Sequence, residues 1–236
     1  MWHFLALIIV LSHPTCFAST QTITNYPYII GGFDFDTNVT FHSSRLFKNR
    51  NYSDKKPSLT AETFVSFQNM LSAGIVGSPI DYSGISANTE LTYYAKLQSD
   101  LNSDWQNLSA TLRNYVYEGD TTKNFNDILL RYDFSLNSMS MYASVDFEYN
   151  RSTLSSSETF EIGVSRPFHG SDVFAYSGKW INEGIYYGAG VSFKYTPYTI
   201  TFLVQESKDN LDEWHTYPVV KLSYSSVGTH PNRIYD

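Results

Sequence analysis

Fifteen charged residues sit on the polar side of alternating apolar–polar runs: Asp34, Asp36, Glu62, Glu90, Lys96, Arg113, Asp127, Arg131, Asp133, Asp146, Glu148, Glu161, Lys179, Lys194 and Lys221. Charges placed this way could line a water-filled passage, where fixed charges select ions by sign. Nine of them are acids and six are bases. That excess predicts a weak preference for cations, which strengthens as salt falls and screening weakens. Other chemistry finds less support. His42, His169 and His215 lie on separate segments without the close spacing of metal ligands, so no metal is expected. A Ser/His/Asp or Ser/His/Asn set on a barrel wall would make a lipid hydrolase, but the chain has no Gly-x-Ser-x-Gly elbow. Asp146 and Glu148 are two residues apart on one strand and read as passage charges rather than a glycosidase pair. No catalytic residue and no cofactor are expected. Gly188 and Gly190 share the polar face of one run, which implies either a close approach of backbone or room for something inside.

The elements that would position these residues are long strands. Residues 85–98 put Ile85, Ala87, Thr89, Leu91, Tyr93, Ala95 and Leu97 on one face, and Ser86, Asn88, Glu90, Thr92, Tyr94, Lys96 and Gln98 on the other. That is the period-two pattern of a strand with one apolar and one wet face. A tilted strand needs about 9–11 residues to cross a bilayer. The pattern recurs at 33–42, 59–67, 71–76, 108–117, 128–134, 139–149, 160–164, 173–180, 185–195, 198–205 and 217–224, which makes twelve strands. In 173–180 the reading sends Phe174, Tyr176 and Trp180 to the apolar side and Lys179 to the polar side. A charge facing lipid at mid-depth costs about 2–4 kcal/mol, so the segregation fits a membrane barrel. Glu206 continues an apolar register just past its strand, which places it beyond the hydrocarbon.

Composition agrees. Charged residues make up 17% of the chain, against about 25% in ordinary soluble domains. Aromatics are also 17%, with 19 Tyr and 16 Phe, residues that favour membrane interfaces. A net charge of −7 without a basic run excludes nucleic acid as a partner. Residues 1–18 read as a signal peptide that carries away the only cysteine, Cys16. Residues 19–32 read as a periplasmic lead-in, 33–225 as the barrel and 226–236 as a tail. Longer polar connections at 47–58, 77–84, 118–124, 150–158 and 206–213 alternate with shorter ones. The loops 47–58 and 150–158 are expected to project outside the cell, so Ser53 and Ser155 should be reachable there and Leu136 should not.

The run from Asn38 to Tyr149 resembles the TorF family of outer-membrane porin-like proteins, a bacterial family without a settled function. The residues that carry the likeness are Ser43-Ser44-Arg45-Leu46-Phe47-Lys48-Asn49, Pro57, Ala73-Gly74-Ile75-Val76-Gly77-Ser78-Pro79-Ile80-Asp81, Glu90-Leu91-Thr92-Tyr93-Tyr94-Ala95 and Tyr115-Val116-Tyr117-Glu118-Gly119. The first block departs from the family pattern at Ser44, Arg45, Lys48 and Asn49, and the last at Glu118. The resemblance implies a pore-forming barrel and supplies neither substrate nor catalytic residues. The expectation is therefore an all-β chain: a transmembrane, antiparallel, up-and-down β-barrel of about twelve strands in the bacterial outer membrane. It would be a non-enzymatic porin or small-solute channel with a mildly acidic lumen. Its partners would be outer-membrane lipid, the barrel-insertion machinery and small hydrophilic solutes. Two rivals stay open: a non-transporting barrel that acts through its loops as adhesin or structural element, and a soluble periplasmic β-sandwich that binds a ligand.

Overall fold

The computed structural model describes residues 33–225, apart from 49, 68–69, 82–85, 101–105, 137, 182, 210 and 212. The signal peptide, lead-in and tail expected at 1–18, 19–32 and 226–236 lie outside the described residues. Strands β1 (Phe33–His42), β4 (Ser58–Phe67), β5 (Leu71–Pro79), β6 (Thr89–Asp100), β7 (Gln106–Glu118) and β8 (Phe125–Leu136) form the first half of the sheet. The second half is β9 (Met139–Asn150), β10 (Ser155–Phe168), β11 (Ser171–Trp180), β12 (Gly184–Tyr195), β13 (Tyr198–Asp209) and β14 (Trp214–Ser225). Two short strands, β2 (Leu46–Phe47) and β3 (Arg50–Asn51), form a separate hairpin in the first loop.

The twelve long strands close into one antiparallel barrel in chain order. β1 closes the ring against β14, from Asn38 opposite Ser225 to His42 opposite Lys221. Closure follows from the alternation. With apolar side chains outside, the backbone N–H and C=O groups are satisfied by pairing between adjacent strands, as a bilayer requires, with the shortest ladder at the β1–β14 seam. On β7 the outward Leu112 is 58% exposed, while its inward neighbour Thr111 is 8% exposed. The interior is mostly polar, although Phe64, Leu203 and Val219 are also buried on inward faces. Its apolar cluster lies at one end, where Tyr52, Ile80, Ala87, Tyr115 and Tyr117 pack together.

The two ends of the barrel differ. Residues 43–57 and 80–88 are long connections at one end, and 137–138, 169–170 and 196–197 are tight turns at the other. The connection expected at 150–158 shrinks to 151–154, because β9 and β10 both extend into it. The strand read at 85–98 begins only at Thr89. Ala87, assigned to its outward face, is instead a buried loop residue of the apolar cluster.

One face is reversed. On β11, Val173, Ala175 and Lys179 are exposed on the outside, while Gly178 and Trp180 are buried inside. The sequence reading gave aromatic rings to the lipid. Here Tyr176 and Trp180 each carry a polar handle with an inward partner: the Tyr176 hydroxyl donates to Gln205 Oε1 at 2.7 Å, and Trp180 Nε1 donates to Ser157 Oγ at 2.6 Å. Lys179 therefore leaves the inward set. It stands one residue from the long-loop end of its strand, where an outward charge meets the polar interface rather than hydrocarbon.

Candidate functional site

The first loop does not project outward. Residues 43–57 turn back into the mouth of the barrel, so that Asn51, Tyr52 and Ser53 are all buried. This corrects the expectation that Ser53 is reachable from outside. The loop is tied at its root to β14, where Ser43 N–H donates to Val220 O at 2.8 Å and Val220 N–H to Ser43 Oγ at 2.9 Å. Tyr52 N–H donates to Arg45 O, Arg45 N–H to Ser53 Oγ, and Asp81 N–H to Tyr52 O, so the first two long loops share one hydrogen-bonded base. Tyr52 joins the apolar cluster. Burial, followed by the nearby Glu90 carboxylate, pushes its hydroxyl up to about 12.

The hairpin presents three cations to the wall. Arg45 Nη2 lies 2.5 Å from Glu90 Oε1 on β6. Lys48 Nζ lies 3.1 Å from Asp146 Oδ2 and is also paired with Glu148, both on β9. Arg50 pairs with Glu183, between β11 and β12. Lys48 and Arg50 each sit 4.8 Å from the centre of the Trp180 ring, which Phe47 also meets edge-on at 6.2 Å. Trp180 thus packs against the hairpin through both cation–π and aromatic contacts. At the hairpin tip, Lys48 O accepts from Gln205 Nε2 at 2.6 Å, which ties the loop to β13. A cavity of about 160 Å³ remains beside the hairpin, bordered by Phe47, Arg50, Tyr117, Phe125, Glu148 and Trp180.

The fifteen charges of the sequence reading are distributed as follows. Glu90, Asp146 and Glu148 meet the hairpin. Arg113 sits beside it, with Nε 2.7 Å from Asp127 Oδ1 and Nη2 2.9 Å from Asp146 Oδ2. Glu62 and Glu161 are held by hydroxyls: Tyr94 donates to Glu62 at 2.6 Å, and Tyr142 and Tyr186 each donate to Glu161 at 2.5 Å. Arg131 pairs with Asp133 at 2.8 Å. Asp36 is buried, and Lys96 and Lys221 are half-buried on inward faces. Asp34 and Lys194 are exposed near the tight-turn end, where Lys194 pairs with Asp172 at 2.6 Å. Lys179 is outside. The histidines are not brought together. His42 is on an inward face of β1, His169 is in a tight turn, and His215 lies beside Asp209 at the long-loop end.

Two sets of residues were missing from the sequence reading. The first is Arg45, Lys48 and Arg50. The signal that could have found them is Leu46, Phe47 and Tyr52, apolar residues that a fully outward loop has little use for. The second is a row of tyrosines lying over glycines of the adjacent strand. Tyr94 faces Gly74, Tyr142 faces Gly163, Tyr186 faces Gly178 and Tyr176 faces Gly188. A Cβ at any of these glycines would run into the opposite ring. For Gly188 this decides between the two readings above: the missing side chain makes room for Tyr176.

The fold that positions these residues is a closed, twelve-stranded antiparallel barrel. Among solved structures, the KdgM porin is similar to this chain with a TM-score of 0.60 and 10% identity, over 80% of this chain and 98% of that one. The KdgM porin in complex with disordered oligogalacturonate aligns with a TM-score of 0.59 and 11% identity, over 80% and 97%. LpxR from Salmonella typhimurium covers 80% and 99% at 9% identity, but its TM-score of 0.46 is too low to argue from. No family model and no curated protein matches the chain. At this level of identity the likeness concerns the fold.

Proposed function

We propose that this chain is an outer-membrane porin for small hydrophilic solutes whose first loop folds inward and sets the bore. The observation that carries the reading is the hairpin Leu46–Phe47/Arg50–Asn51, held inside the mouth by Arg45–Glu90, Lys48–Asp146, Lys48–Glu148 and Arg50–Glu183. A structural barrel that acted only through its outer surface would have no use for a loop fitted this closely to its own lumen. The fold shared with the KdgM porin and the TorF-like blocks support the same class. The bacterial outer membrane as location, the signal peptide at 1–18, and contact with the insertion machinery and membrane lipid belong to this reading.

The solute is small and neutral or cationic. Of the fifteen charges, nine acids and five bases remain inward once Lys179 is removed, the reversal of β11 brings Asp172 to the inner face as a further acid, and Arg45, Lys48 and Arg50 are largely spent on acids of the wall. An acidic sugar chain such as the neighbour's oligogalacturonate would meet carboxylates along most of the path. The fifteen-residue set, less Lys179, is the group that would tune the field.

Planar-bilayer recording tests this. The native chain should give a small unitary conductance with a weak cation preference that grows at low salt. Replacing residues 46–51 with a Gly/Ser linker should raise the conductance several-fold. No conductance from either chain would move the assignment to a filled, non-transporting barrel.

A further inference from the structure

Beside the hairpin, three carboxylates crowd one spot. The nearest oxygens of Asp127, Asp146 and Glu148 all lie within 4.8 Å of one another. Asp127 and Asp146 are 3% and 5% exposed. Two cations serve the three acids. Arg113 takes Asp127 Oδ1 and Asp146 Oδ2, and Lys48 takes Asp146 Oδ2 and Glu148. That leaves the cluster one positive charge short. It also leaves Asp127 Oδ2 and Asp146 Oδ1 buried with no hydrogen-bond partner among the described residues. A buried carboxylate oxygen without a partner is costly, and it points to a ligand that completes the set.

Lys48 is not an ordinary wall residue. It rides on the tip of the hairpin with φ of 53°, a left-handed conformation that Asn or Gly would adopt at less cost in a two-residue hairpin turn. The turn holds the Lys48 ammonium against the acids of β9. Lys48 Nζ stands against Asp146 and Glu148 as a tethered cation in a site made of hard oxygen donors.

We propose that Asp127, Asp146 and Glu148 form a divalent-cation site that Lys48 fills in the plugged barrel, so that Ca²⁺ and the hairpin compete for the same carboxylates. The proposal rests on reading the loop as the occupant of a solute path, and it adds what releases the loop. Oxygen ligands at about 2.3–2.6 Å from Ca²⁺ lie at most about 5 Å apart, which matches the spread of the three acids. The charge also fits. With Lys48 gone, three carboxylates and Arg113 leave two negative charges, which one divalent ion balances. Competition is reciprocal: an ion that displaces Lys48 loosens the hairpin, and a chain without Lys48 binds the ion more tightly.

Calorimetry with Ca²⁺ on the refolded full chain in detergent tests the site directly. Lys48→Gln should bind Ca²⁺ about tenfold or more tightly than the native chain. Lys56→Gln, which removes an exposed lysine of the same loop, should bind like the native chain. Adding Glu148→Gln to Lys48→Gln leaves both acidic partners of Arg113 in place and should weaken binding about tenfold or more. On a Ser53→Cys background, Ca²⁺ should speed labelling by a water-soluble thiol reagent as the hairpin leaves. Equal affinity in the native chain and Lys48→Gln would overturn the proposal, as would labelling at position 53 that ignores Ca²⁺. Both readouts are independent of conductance. A silent barrel with Lys48-dependent Ca²⁺ binding would sink the channel reading alone. A conducting barrel without such binding would sink this proposal alone.

Discussion

Glu90, Asp146 and Glu148 at the hairpin, and Glu62 and Glu161 further along the wall, all turn carboxylates into the barrel, but they are satisfied in different ways. At the hairpin the partners are cations carried by a loop, joined to the wall by charge, by Trp180 and by one hydrogen bond from Gln205. Along the wall the partners are neutral groups of the strands themselves: tyrosine hydroxyls whose rings lie over glycines and, for Glu62, also the Asn38 amide, which donates at 2.9 Å. The first arrangement can come apart without breaking the barrel. The second cannot, because ring and socket are parts of the same ladder. The hairpin is thus held mainly by electrostatics, and the wall tyrosines by shape.

The largest effect expected from this contrast is at Glu90. Glu90→Gln leaves Arg45 buried beside a neutral amide, and removing one partner of a buried ion pair costs about 3–5 kcal/mol. Most of that should appear as hairpin release rather than barrel unfolding. Thiol labelling at Ser53→Cys should accelerate while the heat-modifiable gel shift of the folded barrel stays in place. Loss of the gel shift would mean that the hairpin is integral to the fold, and the contrast would fail.

Next comes Gly163→Val, which pushes a side chain into the Tyr142 ring. Overpacking of this kind costs about 1–3 kcal/mol. Here the midpoint of barrel unfolding in denaturant should fall, with no change in labelling at position 53. Tyr142→Phe is smaller. It removes one of two hydroxyls from Glu161 and should lower stability by about 0.5–1.5 kcal/mol in the same titration. The smallest is Lys179→Gln, on the outer face near the interface, which should change stability by no more than about 0.5 kcal/mol. It should also leave ion selectivity untouched, whereas a clear shift in reversal potential would return Lys179 to the lumen.

Much of the barrel was legible because its determinants are local. Side chains alternate with period two, and lipid penalises charge, so runs such as Asp146-Phe147-Glu148 declare both their strand and their inward face. β11 was misread for a reason that is also physical. Trp180 and Tyr176 are amphipathic, and whether the ring faces lipid or lumen depends on a hydrogen-bond acceptor on another strand, Ser157 or Gln205. The hairpin left only a faint trace in the sequence, the apolar Leu46, Phe47 and Tyr52. Residues 47–58 read as a polar loop projecting outward, and what turns the first loop inward are acids 45 and 100 residues further along the chain from Arg45 and Lys48, Glu90 and Glu148.

Those separations bear on how the molecule assembles. Lys48 waits for Gln205 across 157 residues, and Thr40 meets Ser223 across 183. Contacts so distant in sequence form late, since the entropy of closing the loop is lost before they can repay it. The hairpin is made among the first residues to emerge and seated among the last. Until β13 takes its place, the hairpin lacks the Gln205 tie at its tip, and a chain halted short of β13 would carry a loop already made but not yet seated.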